Sequence, residues 1–134
     1  MMTLISDRLE VAFLLFEELA EFLNESAYAS KLAELPSNTI GQQFWCVIGA
    51  RESYSKGIAS GKWSGFSCSL DWSKTQHKAA VIEGLRNSAG TARAVLHGLN
   101  EPSDAQAQLA IQLLEHEIQH HGQLIRYLYG LKIG

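Results

Sequence analysis

Four long segments of the chain place apolar residues at intervals of three and four, which is the spacing of one face of an α-helix. The first segment runs from about Ser6 to about Leu23 and the second ends near Gly61. The third spans about Lys74 to Leu99, and the last spans Ala105 to Leu131. This periodicity predicts an all-α protein, and four helices of this length pack most economically as a four-helix bundle.

The connections between these segments differ in length. Ser37 or Asn38 can cap the second helix, whereas the residues 61–73 lack a helical period and are rich in Gly, Ser and Trp. We therefore predict one long crossover connection between helices 2 and 3. Gly84 and Gly90 interrupt the third helix, where a glycine either permits close helix contact or marks a kink.

Composition limits the class of protein. The chain has 134 residues, a hydrophobic content of 46% and a net charge of −3, which predicts one soluble domain covering residues 1–134. Its eleven Lys and Arg residues are scattered, so no basic stripe indicates nucleic-acid binding. Charged residues interrupt the apolar N-terminal segment, which argues against a signal peptide or a membrane span. We expect a cytoplasmic protein without a nucleic-acid or membrane partner.

Two histidines stand on the apolar stripe of the last helix. His116 and His120 are one helical turn apart, and Leu113 and Leu124 extend the same face. A buried polar group without a partner costs a few kcal/mol, so the pair requires hydrogen-bond partners or a metal ion. Because side chains at i and i+4 can reach one cation, metal binding and a structural role are both open on this pattern.

The same residues match the His-Glu-x-x-His pattern of zinc proteases, with Glu117 in the position of the general base. Such enzymes usually take a third ligand further along the chain. No His, Glu or Asp follows His121 in the sequence, so we consider a protease the weaker hypothesis.

The run from His116 through His120, His121, Gly122 and Gln123 resembles the closing helix of the DinB-like (DinB/YfiT) superfamily of small four-helix bundles. The resemblance extends to helix order, chain length and the Thr39 opening of the second helix. It implies a divalent metal, zinc or nickel, held by two histidines of the last helix and one residue of the second. His116 and His120 match the last-helix pair, and Cys46 occupies the position of the second-helix histidine.

Cys46 is where the chain departs from the family pattern. A thiolate is a good zinc ligand, but a free cysteine is also a common small residue in a protein core. Both interpretations remain open on the sequence alone.

The resemblance implies a metal-dependent enzyme that activates a thiol or water, such as a thiol-dependent S-transferase or a hydrolase, with a small-molecule thiol as substrate. The alternative is a non-catalytic structural or binding member of the fold with a degenerate metal site. A second apolar stripe on the last helix, opposite the histidines, indicates a further packing partner, and we expect a homodimer. Its residues are Ile111, Leu114, Ile118, Ile125 and Tyr129.

Overall fold

A computed structural model describes residues 1–32 and 38–133, and this part of the chain is helical without any strand. The four long helices are α1 (Met2–Phe22), α2 (Ile40–Ser60), α3 (Lys78–His97) and α4 (Asp104–Gly130). Short 3-10 turns at Glu25–Ala29 and Trp72–Lys74 lie in the connections. The prediction of an all-α fold with four helices is confirmed. None of the helices described combines the length and apolar content needed to cross a bilayer.

Capping boxes set the start of two helices. The Thr39 hydroxyl accepts from the backbone N–H of Gln42, and the Gln42 side chain accepts from the N–H of Thr39. Ser103 and Gln106 do the same for α4. The N-cap of α2 is therefore Thr39, not Asn38 as we predicted, because only the residue three positions before a Gln can complete this box. Ser37, the other predicted cap, lies outside the described residues.

The third helix begins four residues later than predicted. Asp71 caps the 3-10 turn at 72–74 by accepting from the N–H of Ser73, so α3 starts only at Lys78. The two glycines of α3 have different surroundings. A Cβ at Gly84 would lie 2.8 Å from Cδ1 of the buried Ile48, whereas one at Gly90 would meet nothing within 4 Å. Gly84 thus permits close contact with α2, and Gly90 has no such role.

Two clusters of buried residues fill the space between the helices. One contains residues from the C-terminal halves of α1 and α4 and the N-terminal halves of α2 and α3, and the other contains the opposite halves. It follows that α1 and α4 run in one direction and α2 and α3 in the other. α2 packs against α3 and α4, and α1 packs against the same two helices.

The segment 61–77 lies along the outer side of α2. Near the end of α2, Ser53 Oγ accepts from the backbone N–H of Ser67. Nearer its start, the indole N–H of Trp45 donates to the carbonyl of Leu70 over 2.8 Å. At Gly41, in the first turn, a Cβ would overlap the carbonyl oxygen of Thr75. The segment is therefore held by α2 over most of that helix.

Candidate functional site

The two predicted histidines of α4 lie side by side. The ring centroids of His116 and His120 are 4.4 Å apart, with the ring planes at 49°. Both side chains are half-buried rather than sealed in the core, and both meet α2: His116 lies near the ring of Tyr54, and His120 contacts Gln43. Their position on the apolar stripe of the last helix predicts burial in the bundle core. They are instead only half-buried, between α2 and α4.

Gln43 orients one of the two rings. Its amide oxygen Oε1 lies 2.6 Å from Nδ1 of His120. An amide oxygen only accepts hydrogen bonds, so Nδ1 of His120 carries the proton and Nε2 keeps its lone pair. A hydrogen bond of this kind, from one ring nitrogen to a carbonyl or carboxylate oxygen, is the usual support of a metal-ligating histidine.

Both imidazoles are neutral at physiological pH. Burial, reinforced by the neighbouring His116, lowers the pKa of His120 to about 4. Burial also lowers the pKa of His116. A neutral imidazole is the form that donates to a metal ion, so the environment holds the pair in its ligating state.

Two polar atoms on the side of α4 that carries His120 have no partner in the described chain. They are Nδ1 of His116 and Oε1 of Gln123, and both atoms are buried. Gln123 follows His120 by three residues and therefore lies on the same side of α4. Because an unsatisfied buried polar atom costs about 1–3 kcal/mol, both atoms require a further hydrogen-bond partner, which a bound ligand or water would supply.

Cys46 is half-buried on α2, three residues after Gln43, and burial raises its pKa. Over residues 1–32 and 38–133, no three His, Cys, Asp or Glu side chains form a group that could hold a metal ion. The structure therefore brings His116 and His120 together but does not assemble Cys46 with them into a finished three-residue site. Its role as a ligand stays a prediction.

Glu117 forms an ion pair with Arg51 in the interior of the bundle. Its carboxylate accepts two hydrogen bonds from Arg51, from Nε over 2.5 Å and from Nη2 over 3.2 Å, and both side chains are almost completely buried. The remaining Arg51 donor Nη1 bonds the carbonyl of Leu85, and the guanidinium lies 4.5 Å from the ring centroid of Phe13. A carboxylate committed in this way does not face the histidines and has no access to a substrate water, which removes the main support for a protease.

The other histidines lie away from the pair. His77 precedes α3 and His97 ends it, and both are exposed. His121 is half-buried, with its ring edge-to-face against Phe16, beside α1. None of these three side chains contributes to the site between α2 and α4.

Sequence reasoning missed Gln43 and Arg51, although a signal for each was present. Gln43 and Arg51 share a buried stripe of α2 with the apolar Val47. A polar residue on such a stripe requires a buried partner. The pattern thus marks both residues, but only the packing of α2 against α4 identifies His120 and Glu117 as the partners.

Comparison of the chain with models of protein families, with curated proteins and with solved structures finds no match in any of the three.

Proposed function

We propose that the chain is a DinB-like, metal-dependent enzyme in which His116 and His120 hold a divalent ion, zinc or nickel, with Cys46 as third donor. The observation that carries the proposal is the hydrogen bond from His120 to Gln43, which leaves Nε2 free beside a second neutral imidazole. The unpartnered Nδ1 of His116 and Oε1 of Gln123 add to it. In this proposal the segment 61–77 is the long crossover connection of the bundle.

An ion bound by these residues would supply a Lewis acid that lowers the pKa of a thiol or a water molecule. The residues of the chain have separate tasks around it. Gln43 fixes the ring of His120, and burial keeps both imidazoles unprotonated. Gln123 offers an acceptor for a donor group of the bound small molecule. The reaction class is therefore a thiol-dependent transfer or a hydrolysis.

Metal content is the direct test. Protein purified without a histidine tag, loaded with zinc or nickel and dialysed, should retain roughly one ion per chain by mass spectrometry, and His120→Ala should lose it. Gln43→Leu should weaken metal affinity by roughly 10- to 100-fold because it releases the ring of His120. Gln43→Glu should retain affinity, since a carboxylate accepts the same proton.

His97→Ala is the matched control, because it removes a histidine from the exposed end of α3. It should leave the metal content unchanged. Wild-type protein that takes up neither metal, or equal loss in the His97 and His120 variants, would contradict the proposal.

Substitution of Cys46 tests the third donor. If the thiolate binds the ion, Cys46→Ala should weaken metal affinity and Cys46→His should preserve it. If neither change alters affinity, Cys46 is a packing residue.

The second candidate is a non-catalytic binding or structural member of the same fold. The lack of a three-residue metal group in the described residues favours it. Turnover separates the two candidates: loaded protein is mixed with a low-molecular-weight thiol and an electrophile, and thiol consumption is followed. Metal-dependent consumption that is lost in His120→Ala supports the enzyme, whereas tight metal binding without turnover of thiol or water supports the binding protein.

We further propose a cytoplasmic location and a homodimer. The location is supported by the sequence alone, in which charged residues interrupt the apolar N-terminal segment and the two cysteines, Cys46 and Cys68, form no Cys-x-x-Cys pattern. The dimer is supported by apolar side chains on α4, which remain exposed on the face away from the histidines.

A further inference from the structure

The exposed apolar surface is concentrated on two adjacent helices. Nine of the thirteen large hydrophobic residues that are exposed in the described chain belong to α1 or α4. Monomeric proteins rarely leave a continuous patch of this kind in water. The members on α1 are Leu4, Val11, Leu14, Leu15 and Phe22, and those on α4 are Ile111, Ile118, Ile125 and Tyr129.

Four of the five exposed apolar residues of α1, and three of the four on α4, form a straight stripe. Leu4, Val11, Leu15 and Phe22 are spaced by seven, four and seven residues, which keeps them on one side of α1 over about 27 Å. Ile111, Ile118 and Ile125 repeat every seven residues along α4. We call these two stripes together the α1/α4 face.

The stripes lie next to each other and at the same height. Val11 and Leu15 of α1 and Leu114 and Ile118 of α4 line a single groove of about 100 Å³. Because α1 and α4 run in the same direction, position 13 of α1 and position 118 of α4 mark nearly the same level of the bundle. The face therefore has one common midpoint.

About that midpoint the α1 stripe is symmetric in residue type. Leu4 and Phe22 are equally far from position 13, as are Val11 and Leu15, and both pairs are apolar. The remaining pair on the stripe is Arg8 and Glu18, which are oppositely charged, exposed and without an ion pair inside the described chain.

The α4 stripe has the same property about Ile118. Ile111 and Ile125 are equally far from it, and Ile118 itself, 62% exposed, stands at the centre. A two-fold axis that passes through this midpoint, perpendicular to the helices, reverses each helix onto its own copy. Such an axis pairs residue i with its mirror position.

We propose that the α1/α4 face binds a second copy of this chain, with α1 antiparallel to α1 and α4 antiparallel to α4 about an axis through position 13 and Ile118. In this register Leu4 faces Phe22 of the other copy, Val11 faces Leu15, and Ile118 faces itself. Arg8 of each copy pairs with Glu18 of the other, which gives two identical ion pairs per dimer. The charge order is complementary to its own reverse, which favours a second copy over a purely apolar partner. The inference rests on the proposed self-association and is independent of the metal.

Charge reversal tests both the face and the register. Arg8→Glu alone places a second carboxylate against Glu18, and Glu18→Arg alone places two guanidinium groups together, so each variant should weaken the dimer roughly tenfold in analytical ultracentrifugation. An equimolar mixture of the two variants should associate more tightly than either alone, by roughly threefold or more, because only the mixed dimer restores an opposite-charge pairing. A wild-type chain that is monomeric at micromolar concentration, or a mixture that associates no better than its components, would overturn the proposal.

Ile118→Asp places two carboxylates together on the axis and should weaken the dimer by roughly 100-fold or more. The side chain is exposed in one copy, so the helical circular dichroism should be unchanged. Ala94→Asp, on the exposed side of α3, is the control and should leave the dimer intact. Metal content is measured on the same samples: a monomeric Ile118→Asp that still loads metal separates failure of this interface from failure of the metal site. If Ile118→Asp and Ala94→Asp dimerise with equal affinity, the α1/α4 face is not the dimer interface.

Discussion

At the scale of single residues, the main charged interaction in the interior is the buried ion pair between Arg51 and Glu117. Both charges are nine-tenths or more buried, and the guanidinium fork is matched by two carboxylate oxygens and one backbone carbonyl. Burial raises the pKa of Glu117, and the adjacent guanidinium opposes that rise. Such a pair contributes little net stability, but breaking it leaves an uncompensated charge in a medium of low dielectric constant.

We expect Glu117→Gln to lower the free energy of unfolding by about 3–5 kcal/mol, because Arg51 is left buried without a counterion. Urea denaturation gives the measurement. The double variant Arg51→Met with Glu117→Leu should recover much of the loss, since it removes both charges. Glu21→Gln, which breaks the exposed pair with Arg86, is the control, and its cost should stay below about 1 kcal/mol. A Glu117→Gln protein as stable as this control would show that the pair is not sealed from water.

His120 makes stability depend on pH. Its pKa is about 4 in the folded chain, below the ordinary 6.5. Above pH 6.5 the ring is neutral in both states, so the full stability is present. Below pH 6.5, His120 is protonated in the unfolded chain but stays neutral in the folded chain. The free energy of unfolding therefore falls as the pH drops toward about 4.

For metal-free wild-type protein we expect a loss of about 1–2 kcal/mol between about pH 6.5 and about pH 5, before most carboxylates titrate. His120→Gln should show a shallower decline over the same interval, measured by urea denaturation at each pH. Equal slopes for the two proteins would mean that the ring is protonated in the fold.

At the scale of elements, one glycine is required by the contact between α2 and the segment 61–77. A Cβ at Gly41 would overlap the carbonyl oxygen of Thr75 and lie 3.0 Å from that of Tyr28. Backbone atoms cannot turn aside as a side chain does, so any larger residue would displace the segment or the first turn of α2.

We therefore expect Gly41→Ala to destabilise the fold by about 2 kcal/mol or more. Gly90→Ala, the same chemical change in the exposed middle of α3, should stabilise it by about 0.5–1 kcal/mol through helix propensity. Thermal unfolding of the two variants gives opposite shifts in Tm. Shifts of the same sign would show that Gly41 is not in close contact with Thr75.

The ends of the helices show which boundaries depend on local sequence and which depend on tertiary contacts. Ser103 and Gln106 cap α4 through hydrogen bonds between residues only three positions apart, so this helix start depends on local sequence. The predicted start of α3 was too early. The composition of this segment permits helix, but the 3-10 turn at 72–74 interrupts it, and the Trp45 side chain of α2 holds the preceding residues by a hydrogen bond to the carbonyl of Leu70.

At the scale of the whole molecule, α4 has three different environments around its circumference. One side packs in the core, through residues such as Leu113 and Leu124. The side toward α2 carries His116 and His120. The exposed side next to α1 carries Ile111, Ile118 and Ile125. The proposed metal site and the proposed dimer face therefore occupy separate sides of one helix, and each can be altered without the other.

The sequence alone determined the helical class, the number of helices and the histidine pair, because the helical period and an i, i+4 spacing are local properties of the chain. Only the tertiary structure decided that Glu117 pairs with Arg51, that Gln43 orients His120, and that the stripes of α1 and α4 form one face. These contacts join residues far apart in the chain. They depend on which helices become neighbours and at what height, and that is settled by packing of the whole core rather than by any local pattern.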